Sequence, residues 1–321
     1  MDTRQDLRPA DGWSRAAVLA TAAAAAVAWL LAACSAEVPG APGSHSPPPA
    51  SPGSHASPEG PAGSHAAPAV GPARTRGGPI WLLTRSALSQ VVTDPGAREA
   101  LRASRVYEIL QPRQPPLPGV AAERVVTFAS AAALEQAVVD GQVPAGTYGV
   151  LYDPEAWSFT PPAEQRDPVQ AAARAAVVAH AHGLRLIVAP ALNLTTVLAP
   201  GRGPRWQAFL DLGLAGRMAR VADVVELQAQ SLERSTATYA AFVRAAAAQA
   251  AGVNPHVTVL AGLSTNPPGA PVGSQNLASA IQATRSLVAG YWLNIPGQGA
   301  RCPTCNAPRP DIAVQTLRQL G

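Results

Sequence analysis

Residues 148–189 read YGVLYDPEAWSFTPPAEQRDPVQAAARAAVVAHAHGLRLIVA, and this stretch decides the fold. A short apolar run from Tyr148 to Asp153 gives way to a polar loop, an Ala-rich helical stretch and a second apolar run from Leu184 to Ala189. Asp167-Pro168 supplies an N-cap and a first-turn proline, and Gly183 closes the helix on its far side. Apolar runs that alternate with amphipathic helices are the pattern of a parallel sheet wrapped by helices.

The same unit repeats outward in both directions. Strands are predicted near Ile80-Trp81-Leu82-Leu83, Val106 to Leu110 and Val125 to Phe128, before the two already quoted. Three more follow, at Asp223 to Gln228, Val257 to Gly262 and Ala289 to Asn294. Asp94-Pro95 and Pro310-Asp311 open helices, Ser130 and Gly141 bracket another, and Ser235 and Gly252 bracket the one before the seventh strand. Eight such units over residues 78–321 match a (β/α)8 TIM barrel. An open doubly wound sheet is the alternative, but no Gly-rich phosphate loop follows the first strand. Loops after helices are short, whereas those after strands are long and polar, as in Glu155 to Arg166, Asn193 to Arg205 and Ser264 to Ser274. In barrels the strand-to-helix loops form the functional face.

Composition narrows the chemistry. All 24 basic residues are Arg and none is Lys, which excludes Schiff-base catalysis and a P-loop lysine. The net charge of +4 is dispersed, with no Arg cluster interleaved with aromatics, so nucleic acid is not an expected partner. No cofactor and no metal are expected. No Gly-x-Ser-x-Gly elbow is present, which argues against a serine esterase.

The N-terminal region has a different texture. Arg4, Arg8 and Arg15 precede an apolar run from Ala16 to Ala33, which ends in Leu31-Ala32-Ala33-Cys34. A charged start, a short apolar stretch and small residues at the end form a secretory signal. Leu-Ala-Ala-Cys resembles the lipobox of bacterial lipoproteins, which implies diacylglyceryl transfer to the Cys34 thiol and cleavage before it. Two acyl chains anchor stably where one would not. The expectation is a signal peptide over 1–33 and an extracytoplasmic protein held to the cell membrane by its lipid. Residues 34–77 then form a Pro/Gly/Ser/Ala-rich linker, too poor in large apolar residues to fold. Gly-Ser-His recurs there at residues 43, 53 and 63, and the repeat reads as a slipped tether, with His45, His55 and His65 as incidental members.

Candidate chemistry clusters at strand ends. Asp153 and Glu155 are two apart, so in extended geometry their carboxylates leave one side of the fourth strand. Paired carboxylates can separate into one proton donor and one ionised partner. On the sixth strand, alternation places Glu226, Gln228 and Gln230 on one face and Val225, Leu227 and Ala229 on the other. Three polar groups facing a barrel interior must find partners, which favours a ligand site lined by amides and a carboxylate over an internal network. Asp153, Glu155 and Glu226 are therefore the candidate catalytic residues. Trp157, Asn193, Asn266, Trp292 and Asn294 also fall at strand ends, and with Gln228 and Gln230 they are the candidate substrate-binding residues. Indole faces with amide donors suit sugars, whose apolar ring faces are edged by hydroxyls.

Asp-x-Glu at the end of the fourth strand, with Trp292 on the eighth, is similar to chitinase-like family-18 glycoside hydrolase barrels. The resemblance implies Glu155 as general acid and Asp153 as the residue that orients an attacking acetamido group. The signature's earlier acids fall where Leu151 and Tyr148 stand, and its sixth-strand Tyr-Asp pair is replaced by Gln228 and Gln230. These residues point to a hydrolase of cell-wall or other extracellular carbohydrate, with a non-catalytic glycan-binding or envelope-scaffold lipoprotein as the alternative. Cys302-Pro303-Thr304-Cys305 lies in a Gly/Pro loop after the last strand, where a local disulfide is expected outside the cell. His180 and His182 end a helix, where a surface role is expected.

Overall fold

The computed structural model describes residues 77–299, 302 and 305–320. The signal peptide, Cys34 and the Gly-Ser-His linker lie outside the described residues. The strands are β1 Ile80–Thr84, β2 Arg105–Leu110, β3 Glu123–Phe128, β4 Gly149–Tyr152, β5 Arg185–Val188, β6 Val224–Leu227, β7 Thr258–Ser264 and β8 Gly290–Asn294. Each pairs in parallel with its sequence neighbours, and β8 returns to pair with β1. The chain is a (β/α)8 TIM barrel, and every predicted strand is present.

Two helices follow β1, α1 Arg85–Val91 and α2 Pro95–Arg102; α3 Ala131–Val139 follows β3. After β4 come α4 Pro162–Arg166 and α5 Pro168–Ala181, and after β5 come α6 Thr195–Leu198, α7 Arg205–Asp211 and α8 Leu214–Ala219. The circuit ends with α9 Thr236–Val253, α10 Ser274–Thr284 and α11 Pro310–Leu320. The expected caps form: Asp94, Ser130, Asp167 and Ser235 each accept from the backbone N–H three residues on. Gly183 and Gly141 take the left-handed conformation that stops α5 and follows α3.

Two expectations need correction. The second unit has no helix, because β2 runs to β3 through Gln111–Ala122, where Pro112, Pro115, Pro116 and Pro118 remove backbone donors and bar helical geometry. Gly252 does not end its helix; α9 continues to Val253, and Asn254 caps it while its side-chain amide donates to the Ala219 carbonyl.

Alternation along each strand divides the core in two. Ile80, Leu82, Tyr107, Ile109, Val125, Leu151, Ile187, Val224, Leu260 and Trp292 fill the barrel interior. The opposite faces pack on the helices through small side chains such as Ala172, Ala175, Ala246 and Ala250. Closure is tightest between β8 and β1, where a Cβ on Gly290 would lie 2.0 Å from the Ile80 carbonyl oxygen. In the outer layer, the Arg318 guanidinium on α11 holds the Asp94 carboxylate at the start of α2, which lowers the Asp94 pKa. The ring is thus fastened in both layers. Gly290→Ala should force the backbones apart at the seam and cost about 3 kcal/mol or more. A urea denaturation midpoint close to that of the native protein would show that the seam can yield.

Candidate functional site

Of the polar residues expected at the barrel mouth, Asp153, Gln228 and Glu226 come together at the ends of β4 and β6, and Glu155 pairs with Asn193. Asp153 follows β4 directly, and its N–H donates to the Phe128 carbonyl, 2.9 Å, which extends the ladder by one residue. Its side chain therefore keeps the inward direction of Leu151. The Gln228 amide donates to Asp153 Oδ1 at 2.6 Å and to the Ala189 carbonyl at 2.9 Å, bridging the ends of β4, β5 and β6.

Glu226 lies on β6 with 0% exposure, and Asp153 has 6%. Between them β5 contributes Ala189, whose small side chain leaves the two carboxyl groups within electrostatic range. Neither Glu226 oxygen has a hydrogen-bond partner among the described residues. Burial first, and then the negative charge of Asp153, push the Glu226 pKa well above its ordinary value. Burial and the neighbouring Asp153 thus both favour the neutral form of Glu226.

The remaining candidates divide by position. Trp292 points inward from β8, and its indole Nε1 also has no partner among the described residues. Asn294 is two residues further along the same face and half-buried. Gln230 lies across β7, where a Cβ on Gly262 would come within 2.4 Å of the Gln230 Cδ, so this glycine makes room for the amide. Glu155 is half-buried in the loop beyond β4, and its N–H donates to Thr160 Oγ1. After Pro154 the chain turns, and Asn193 holds the turn by donating to Glu155 Oε2 at 3.1 Å and accepting from Ala156 N–H at 2.9 Å. Trp157 is half-buried on that turn, its Nε1 donating to Thr160 Oγ1 at 2.9 Å and its ring edge-on to Phe159. Asn266 donates to the carbonyls of Asn306 and Ala307, which braces the loop before α11. In that loop Cys302 and Cys305 form a disulfide. His180 is on the surface near the opposite end of the barrel, paired with Asp223 at 2.9 Å.

Three buried acids, Glu108, Glu164 and Glu233, escaped the sequence reading; Glu108 of β2 accepts from the Leu117 N–H. Glu164 of α4 accepts from Ser130 Oγ, the N–H groups of Ala131 and Ala132, and the Tyr152 hydroxyl. It places a carboxylate at the N-terminus of α3, where the helix dipole favours it, and fixes the loop after β4. Glu233, past β6, accepts from the Ser264 N–H at the end of β7. Nothing in the local pattern marks Glu164 or Glu233, because the Ala131 and Ser264 N–H groups that they accept from lie about thirty positions away in sequence.

The sequence matches no protein-family profile and no curated protein. Solved structures with a similar chain path include a protein provisionally assigned as an α-L-fucosidase from Bacteroides thetaiotaomicron, with TM-score 0.45 and 9% identity over 82% of this chain and 100% of that one. A chitinase from Chromobacterium violaceum gives 0.41 and 11% identity over 75% and 99%. An endo-β-1,3-glucanase from Amycolatopsis mediterranei, solved with laminaritriose, gives 0.42 and 14% over 76% and 99%. These likenesses concern the fold and assign no activity to this chain.

The state of Glu226 is open to measurement. Its folded pKa exceeds its unfolded value, so folding favours the protonated form. The stability it contributes is full below the ordinary carboxylate pKa and is lost as pH rises toward the folded value. Glu226→Gln keeps the shape and has no proton to lose. Its stability relative to the native protein should therefore increase steadily from pH 5 to pH 8 in thermal melts, whereas a constant difference would mean that Glu226 is not a buried neutral acid.

Proposed function

We propose that this chain is an exported, lipid-anchored barrel that hydrolyses a glycosidic bond in an extracytoplasmic carbohydrate. The observation that carries this reading is the pairing at the barrel mouth of Asp153 with buried Glu226, whose pKa burial and Asp153 both raise. Glycoside hydrolysis needs one carboxylic acid to protonate the departing oxygen and one carboxylate to support the positive charge at the anomeric carbon. Glu226 supplies the proton as the glycosidic C–O bond breaks, and the Asp153 carboxylate faces the developing charge. Water then forms the new bond to the anomeric carbon and its proton restores Glu226. Gln228 keeps Asp153 in place, while Gln230, Asn294 and the Trp292 Nε1–H supply donors and acceptors for sugar hydroxyls. Glu155, Asn193 and Trp157 form the rim on the β4 side, and Glu155 is the reserve acid there. Asn266 supports the opposite rim.

One observation favours the alternative of a glycan-binding or envelope-scaffold protein. Asp153 and Glu226 are both less than a tenth exposed, deeper than a bond in an unprepared polysaccharide would reach. A single experiment separates the two readings. The full chain is incubated with a panel of cell-wall and storage polysaccharides, with Glu226→Gln and Asp153→Asn in parallel, and released sugars are detected by mass spectrometry. Release by the native protein should fall at least about 100-fold in Glu226→Gln. Retention on one glycan without release would establish the binding protein instead, and neither signal would overturn the carbohydrate reading.

The anchor has its own test. Cells expressing the full chain with labelled palmitate should yield a labelled, membrane-bound protein, and Cys34→Ser should remove the label. An unlabelled native chain would refute lipidation.

A further inference from the structure

The end of the barrel opposite the mouth holds a second polar cluster, which the hydrolytic reading does not use. Arg105 opens β2, Glu123 and Arg124 open β3, and Tyr148 directly precedes β4. Strand pairing gathers these starts, since Tyr107 is opposite Glu123 and Val125 is opposite Gly149. With Ala145 of the loop before β4, they line an open cavity of about 680 Å³. The chain enters β1 at this same end, where Ile80 is opposite Arg105.

Arg105 is held from two sides. Its Nε and Nη2 donate to the two Glu123 carboxylate oxygens at 2.7 and 2.8 Å, which leaves Nη1 for a further acceptor. Its guanidinium carbon lies 5.1 Å from the ring centre of Tyr107 and 5.0 Å from that of Tyr148, a cation–π contact with both. The two rings stack with centres 5.0 Å apart, and the buried Tyr107 donates its hydroxyl proton to the Tyr148 oxygen at 3.2 Å. Tyr148 therefore keeps its own proton to donate. Arg124 differs from Arg105 in having no acid beside it. Among the described residues its guanidinium makes one long hydrogen bond, 3.4 Å to the Ala145 carbonyl, and no ion pair. The cavity thus carries two guanidinium groups against one carboxylate, both of whose oxygens are already engaged.

We propose that this cavity binds a phosphate group, carried by a small molecule or by a lipid headgroup, on Arg124, Arg105 Nη1 and the Tyr148 hydroxyl. The two arginines offer charge-assisted donors and the tyrosine a neutral one. A tetrahedral oxyanion has acceptor oxygens enough to meet all three, and guanidinium geometry suits it. The uncompensated charge of Arg124 favours an anion over a neutral ligand. Arg105 is already fixed by Glu123 and the stacked tyrosines, so binding does not have to order that long side chain. The proposal does not rest on any reaction at the mouth.

The test is a titration of the full chain at constant ionic strength with two probes, inorganic phosphate and glycerophosphoglycerol, the headgroup of phosphatidylglycerol without its acyl chains. The side-chain Nε–H resonances of Arg105 and Arg124 are followed by NMR, and both should shift saturably with at least one probe. Arg124→Gln should weaken that binding at least about tenfold, and Tyr148→Phe severalfold. Both variants should fold, because Arg124 gives up only its long bond to Ala145 and Tyr148→Phe keeps the stacked ring. Tighter binding of inorganic phosphate would assign a free phosphate ligand, and equal or tighter binding of the diester a lipid headgroup. No saturable shift with either probe up to about 20 mM, or an unchanged affinity in Arg124→Gln, would overturn the site. Because the readout involves no hydrolysis, failure of either reading leaves the other standing.

Discussion

Between β8 and β1 the two backbones approach so closely that the space a Cβ on Gly290 would need is taken by the Ile80 carbonyl. That contact turns a curved sheet into a ring. A closed ring has no unpaired strand edge, which matters in a sheet whose strands are as short as four residues. It also collects all eight C-terminal strand ends on one face, so residues far apart in sequence become neighbours. Asp153 and Gln228 are hydrogen-bonded across 75 positions only because the sheet closes. The Asp94–Arg318 pair repeats the closure in the helical layer, joining the first and last units.

Closure also fixes what the interior can hold. A ring of eight strands has room for side chains but little for water, and the lower part of this one is filled by Ile, Leu, Val and aromatic residues. Near the top the filling changes. Ala189 and Gly262 are small, and around them stand Asp153, Glu226, Gln228 and Gln230. A buried carboxyl beside a second one costs stability, and an apolar residue at Glu226 would avoid that cost. Among the described residues, both Glu226 oxygens and the Trp292 indole N–H lack a hydrogen-bond partner, which sets this end apart from a core shaped by packing alone.

The sequence declared the strands because each is a compact run of β-branched and large apolar residues between turn signals, and the caps because Asp, Ser and Gly act over three or four positions. The inward row of Glu226, Gln228 and Gln230 was readable for the same reason: a period of two is a local property. Features that depend on distant partners were not. Beyond β4 the loop that carries Glu155 is held by Asn193 on another loop, a contact that no local period announces. The missing second helix was legible in four prolines but was overridden by the regularity of the other units. Glu164 and Glu233 look like ordinary loop and helix glutamates until the fold brings a helix N-terminus to one and a strand end to the other.

Glu233 and Glu226 show how the same burial acts on two carboxyls with different partners. Burial raises the pKa of both. At Glu233 the Ser264 N–H and the Arg234 charge oppose that rise, and the value comes to about 7. Glu226 has no such donor among the described residues, and the charge of Asp153 adds to the effect of burial. The fold therefore favours the neutral form of the acid beside Asp153, while Glu233, with its donor, ties down the end of β7.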